Sequence, residues 1–341
     1  MNSVELSSEI LKSFGFAPTD DQNTAVSRFS DFMFRAQSDT LMLMRGSAGT
    51  GKTSLAAAIV QTLVRLGQRV VLLAPTGRAA KVFSLNSGRP AHTIHRKIYR
   101  QQAFSGIGTG FKLNDNLHKN TLFIVDEASM VNLSPTLSQG EGVFGSGGLL
   151  DDLIKYVYQG DNCHLMLIGD KAQLPPVGED ESPALDSMVL GGYGLTVFEC
   201  DLNEVLRQSQ DSGILYNATI IRQMITHDEM TQLPKIRFRG FADISIVNGN
   251  DLIDEMTTSY SRVGVDETMV ITRSNKRCNI YNQGIRNRIF EYEEELSSGD
   301  RIMIVKNNYK ASVGEVGFIA DPVLDDIFAT DAEVRKMTES I

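Results

Sequence analysis

Residues 41–67 read LMLMRGSAGTGKTSLAAAIVQTLVRLG. An apolar run, Leu41 to Met44, enters a loop holding three glycines. Beyond it Leu55, Ile59, Val60, Leu63 and Val64 recur at helical spacing until Gly67 stops the pattern, which predicts a helix over 54–66. Within this strand, loop and helix, residues 46–53 (GSAGTGKT) match G-x-x-x-x-G-K-[ST]. Gly46, Gly49 and Gly51 free the backbone to aim N–H groups at phosphate oxygens. Lys52 reaches the outer phosphates, and Thr53 offers a hydroxyl to Mg²⁺. A glycine-rich turn that happens to hold a lysine is the alternative, and the flanking strand and amphipathic helix argue against it.

Working outward, further short apolar runs stand at Val70 to Ala74, Leu122 to Val125, Leu165 to Ile168 and Leu195 to Phe198, alternating with helical stretches. That alternation is the pattern of βα units, so the fold class is α/β with a parallel sheet. Residues 104–111 (FSGIGTGF) read as a small hairpin with Phe104 and Phe111 on its arms, and 139–148 as a mobile loop. A helix is expected at 213–226. A second alternation follows, with strands near Ile244 to Val247, Thr268 to Thr272 and Arg301 to Val305 and helices near 251–261 and 275–292, so a second α/β domain opens near residue 238.

The 341 residues exceed one ordinary domain and are 42% apolar and 22% charged, which excludes a disordered or fibrous chain. No apolar run approaches the ~20 residues of a membrane span, and MNSVELSSEI has neither a basic nor an apolar leader region. Cys163, Cys200 and Cys278 stand far apart without metal or disulfide spacing, so a cytoplasmic home is expected. The net charge of −9 argues against coating nucleic acid by bulk charge and leaves room for a local basic track.

Other segments carry chemistry beside the phosphate loop. TLFIVDE (121–127) ends an apolar strand in two carboxylates, where open α/β sheets place ligands. Alone such a pair reads as a solvated turn; with the loop upstream, Asp126 suits Mg²⁺ and Glu127 suits a base for the attacking water. In LMLIGDKAQLPPV (165–177), Gln173 suits a γ-phosphate sensor, the bland reading being a proline-stiffened connection. LNEVLRQS (202–209) offers Arg207 as a charge for the transition state or as a surface ion pair. RPAHTIHRKIYR (89–100) and the basic 273–288 stretch are either phosphate contacts or solvated helix faces. APTGRAAK (74–81) follows the second strand, so Thr76 and Arg78 face the same sheet edge as the phosphate loop and suit a second, polymeric ligand.

In order, GSAGTGKTS, APTGRAA, HTIHR, VDEASM, GDKAQLPPV and LNEVLRQS resemble motifs I, Ia, Ib, II, III and IV of superfamily 1 DNA helicases, more narrowly the RecD-like and Dda-like branch. TDDQNTAV resembles the adenine-reading Q motif, which carries Gln22 over as the adenine contact. The resemblance implies tandem RecA-like domains: residues 1–230 would form the first with its N-terminal segment, 96–119 a pin-bearing insertion, and 238–341 an incomplete second. It implies ATP and Mg²⁺ as cofactors, with Ser47, Ala48, Thr50 and Ser54 completing the loop around Gly46, Gly49, Gly51, Lys52 and Thr53. Thr53 and Asp126 would serve the metal, Glu127 would be the base, Gln173 the sensor and Arg207 the finger. Pro75, Thr76, Arg78, Thr93 and His95 would line DNA, joined by Thr272, Arg273 and Asn275. The implied activity is 5'-to-3' translocation on single-stranded DNA and unwinding at duplex junctions, in repair or recombination with protein partners and away from membranes. No counterpart of motif V or VI is found before Ile341. An ATP- and DNA-binding module with little unwinding of its own, within a larger recombination complex, is the second reading; a small-molecule kinase on the same loop is a third, weakened by the second α/β domain.

Overall fold

The computed structural model describes residues 1–35, 39–102, 110–134, 148–204, 212–226, 233–294, 296–298 and 300. The described residues fall into two compact units, the first holding those within 1–204 and 222–226, the second those within 212–221 and 233–300.

The first unit opens with α1 (Ser3–Phe14) and α2 (Asp20–Arg35). Asn2 caps α1 reciprocally with Glu5, and Gly15 ends it at φ 73°, a left-handed turn that glycine enters without strain. A βα series follows: β1 (Thr40–Gly46), α3 (Lys52–Arg65), β2 (Arg69–Ala74), α4 (Gly77–Ser87), β3 (Ala91–Thr93) and α5 (Ile94–Ile98). An antiparallel hairpin, β4 (Tyr99–Gln102) with β5 (Gly110–Leu113), interrupts it before β6 (Thr121–Val125), α6 (Leu149–Tyr158), β7 (His164–Gly169), α7 (Ser187–Gly191) and β8 (Thr196–Leu202).

Six strands form one parallel sheet in the order β3-β2-β6-β7-β1-β8. Strand side chains alternate between its faces. Met42, Met44, Leu72, Ile124, Met166 and Ile168 pack with helices α1 to α4 on one side. Leu41, Leu43, Leu73, Phe123, Val125, Leu165 and Leu167 pack with α5, α6 and α7 on the other. Burial on both faces is why these strands read as unbroken apolar runs.

All five strand runs expected through residue 198 are strands, and β3 is an addition. A hairpin lies near the one expected at 104–111 but has wider arms, 99–102 and 110–113; Phe111 is on β5, the other arm falls before the expected range, and Phe104 lies outside the described residues, as do most of 139–148.

In the second unit the helical expectations hold. α8 (Gly213–Thr226) begins in it, and α9 (Leu252–Val263) and α10 (Asn275–Arg288) lie within it. The expected strands at 244–247 and 268–272 need correction, because these segments are not strands. A strand exists only through its ladder partners. Residues 301–305, the third expected strand, lie outside the described residues, so the sequence pattern here has no described sheet to join.

Candidate functional site

In a parallel sheet every strand ends at the same edge, and here β1, β7, β6 and β2 deliver their carboxyl ends side by side. The segments that follow β1, β2, β6 and β7 leave the sheet from that edge.

The loop after β1 is held by its own backbone. Thr50 donates from N and Oγ1 to the Ser47 carbonyl at 3.3 and 2.8 Å, and Ser47 N donates to Leu202 O on β8 at 3.3 Å. Gly49 and Gly51 take φ of 82° and 83°, which side chains rarely adopt. Gly51 is the N-cap of α3 and supplies no capping side chain, so the first N–H groups of that helix remain available to an anion. Gly46 is required for space: a Cβ there would stand 2.8 Å from Leu202 Cβ and 2.9 Å from Thr50 Oγ1.

Lys52 folds back over the loop, donating from Nζ to the carbonyls of Gly46 and Ser47 at 2.7 and 2.8 Å. Burial pulls its pKa below the ordinary lysine value, while the carboxylates of Asp170, Glu127 and Asp126 act to raise it. Gln22, fully buried on α2, braces the loop: Nε2 donates to Thr50 O at 2.9 Å and Oε1 accepts from Thr19 N at 3.0 Å.

Asp126 and Glu127 follow β6. Asp126 is 6% exposed, and its Oδ1 accepts from Glu127 N at 2.9 Å. Burial, with help from the Glu127 charge, pushes Asp126 up to about 6 against the opposing pull of that hydrogen bond and of Lys52. Glu127 stands at φ 53° and ψ 38°, an uncommon left-handed conformation for a non-glycine residue, at the start of a 3₁₀ turn, Ala128–Met130. Ser129 in that turn is buried, and its hydroxyl donates to Gln173 Oε1 at 3.3 Å, tying the segment after β6 to the one after β7.

Asp170, directly after β7, was quoted within its motif but given no role by sequence reasoning. It is 4% exposed, accepts from Ala172 N at 2.9 Å, and pairs through Oδ2 with Arg222 on α8, a residue of the first unit, at 2.9 Å. A terminal aspartate after an apolar strand, as at Asp126, was the available signal. Arg222 gave none.

Pro75, Thr76 and Arg78 follow β2 at the same edge. Thr76 caps α4, its hydroxyl accepting from Ala79 N at 3.2 Å, and Arg78 is exposed. Thr93 caps α5 likewise, accepting from Arg96 N at 3.3 Å, and exposed His95 lies 5.7 Å from the Tyr99 ring. Thr272, Arg273 and Asn275 belong to the second unit, beside Ser274, which caps α10. Arg207 lies outside the described residues.

A phosphate loop after β1 of a parallel sheet, with two carboxylates at the same edge after β6, one strand removed, defines a P-loop nucleoside-triphosphate site of the first unit. The AAA domain family matches residues 19–139, the stretch from Gln22 through the Asp126 and Glu127 pair. The chain is 26% identical over 271 residues to the ATP-dependent DNA helicase dda of Enterobacteria phage T4, covering 78% of this chain and 56% of that protein. It is 32% identical over 180 residues to the ATP-dependent RecD2 DNA helicase of Deinococcus radiodurans, covering 52% of this chain and 21% of that one. Among solved structures, a Pif1 helicase from Bacteroides matches at 20% identity with a TM-score of 0.42, over 79% of this chain and 56% of that chain. The chain thus spans about half the phage protein and about a fifth of RecD2. The resemblance read from motif order, to RecD-like and Dda-like helicases of superfamily 1, is met again in these relatives. No described helix is long and apolar enough to cross a membrane.

Proposed function

We propose that this chain hydrolyses ATP to move along single-stranded DNA and open duplex junctions, as a 5'-to-3' helicase of repair or recombination in the cytoplasm. The observation that carries the reading is the convergence of Lys52, after β1, with Asp126 and Glu127, after β6, at one edge of the sheet behind an open helix N-terminus. Both curated relatives named above are ATP-dependent DNA helicases.

In this reading Gly46 to Ser54 wrap the phosphates, and Lys52 exchanges the carbonyls of Gly46 and Ser47 for phosphate oxygens. That exchange favours nucleotide, because a buried ammonium gains a charged partner in place of neutral ones. Gln22 reads adenine from the position where it already braces Thr50. A hydroxyl and a carboxylate are the hard oxygen donors Mg²⁺ takes, so Thr53 and Asp126 fit it; when bound it would neutralise phosphate charge. Glu127 orients and deprotonates the attacking water, Gln173 senses the γ-phosphate, and Arg207 stabilises the transition state. DNA runs past Pro75, Thr76, Arg78, Thr93 and His95, with Thr272, Arg273 and Asn275 contributed by a second RecA-like domain opening near residue 238.

ATP turnover measured with and without single-stranded DNA tests this. Stimulation of severalfold, abolished by Lys52→Ala and by Glu127→Gln with nucleotide binding kept only in the latter, is the expected result. Binding of ATP and DNA without stimulation would favour the ATP- and DNA-binding module of a larger complex instead. No turnover in either condition would sink the motor reading.

A further inference from the structure

Three carboxylates, Asp126, Glu127 and Asp170, act on Lys52 at the sheet edge. Nucleotide brings further negative charge to the same place, and a pocket with three carboxylates and one ammonium is a poor host for it. Asp126 and Glu127 have uses that require their charge. Asp170 is 4% exposed and is fixed by Ala172 N at the end of β7, so it cannot turn its charge to water. The group that meets it is Arg222, whose Nη2 lies 2.9 Å from Asp170 Oδ2 and whose side chain keeps 26% of its surface open. The Arg222 charge also reaches Lys52, lowering its affinity for a proton, which places the guanidinium within electrostatic range of the phosphate loop.

We infer that Arg222 is a charge-compensating positioning residue of the nucleotide site: paired with Asp170, it cancels a buried negative charge that would otherwise repel the triphosphate. Arginine suits the task because it stays protonated at any working pH and holds a carboxylate in fixed geometry. The inference rests on the reading of this edge as a nucleotide site and requires no DNA-dependent activity.

Charge compensation and plain structural support make opposite predictions for one substitution. If Asp170 and Arg222 only hold the fold together, Arg222→Gln, Asp170→Asn and the double variant all weaken nucleotide binding. If charge governs, Arg222→Gln weakens binding, Asp170→Asn tightens it by removing one negative charge from the site, and the double variant returns close to the parent. The experiment measures the Kd of the full chain for ATPγS and for ADP with Mg²⁺ by calorimetry at low and high salt, with circular dichroism confirming that each variant is folded. Arg222→Gln should raise the Kd for ATPγS about fivefold, and less for ADP, which carries less charge. Salt should narrow the difference. Arg222→Lys keeps the charge and should retain most of the affinity even if Arg222→Gln folds poorly. An unchanged Kd in Arg222→Gln, or weaker binding in Asp170→Asn, overturns the inference. Failure of the parent chain to bind ATPγS, with Lys52→Ala no different, would instead remove the nucleotide-site reading beneath it.

Discussion

At Asp126 a carboxyl group that would have to ionise to hold the proposed Mg²⁺ sits 6% exposed, and burial raises it from 3.8 to about 6. Between those values the folded chain keeps a proton that the unfolded chain has released. Stability therefore falls as pH rises through that window and stays lower above it. Asparagine removes the ionisation while keeping an acceptor for Glu127 N. In EDTA and without nucleotide, Asp126→Asn should be more stable than the parent at pH 7.5, by ~1–3 kcal/mol, and the gain should vanish near pH 4. Thermal melts at the two pH values decide it; equal destabilisation at both would show that the charge carries no such cost. Turnover of MgATP should be lost in the same variant, the trade of stability for function expected at such a site. What the sequence disclosed at this scale was local. Lys52, Thr53, Asp126 and Glu127 are fixed by spacing within a few residues of a strand end. The Asp170 partner was hidden because Arg222 lies 52 residues away on a helix with no motif of its own.

Among elements, the strands were legible because burial on both faces makes them continuous apolar runs, whereas β3 has only three residues and sits inside a basic stretch that read as a charged face. Gly46 shows how closely β1 and β8 approach where the phosphate loop begins. Its backbone would accept alanine, but the methyl would fall 2.8 Å from Leu202 Cβ and 3.0 Å from Leu202 O, and a β8 backbone atom cannot swing aside. Gly46→Ala should therefore cost about 1–3 kcal/mol of stability, and nucleotide binding should weaken with it as the loop is displaced. A variant with unchanged melting and unchanged Kd would mean that β8 yields at no cost. The hairpin β4 and β5 is tied to the first unit's core differently. Tyr99, 8% exposed, donates to Asp152 Oδ2 on the first turn of α6 at 2.8 Å, and burial with this bond raises the phenol far above its ordinary pKa. Tyr99→Phe keeps the ring and deletes the donor to a buried carboxylate, so it should lower stability by ~1–3 kcal/mol. ATP turnover without DNA should be spared, since the residue is remote in the chain from the phosphate loop; loss of basal turnover would contradict that separation.

Across the whole molecule, burial is divided very unevenly. The first unit stacks apolar helices on both faces of a six-stranded sheet. Of the described residues from 212 onward, Ile285 is the only buried apolar side chain, and α9 buries none. Ile246 and Ile271, in segments whose sequence has strand character, are 68% and 88% exposed. Periodicity could foretell helices there, because a helix satisfies its own backbone, but strands need partners that local sequence does not contain. Local opening free energy follows buried apolar contact, so amide protection should be just as uneven. Native-state hydrogen exchange should find the slowest amides in β1, β6 and β7, exchanging only through global unfolding. Those of α9 should exchange orders of magnitude faster, through local fraying of a helix whose apolar side chains gain little by remaining folded. Addition of MgATPγS should slow exchange at residues 46–54 and after β6 while leaving α9 unchanged. If α9 were as protected as β1, a core that includes the residues from 212 onward would have to exist in solution, and the separation of burial seen here would not describe the working protein.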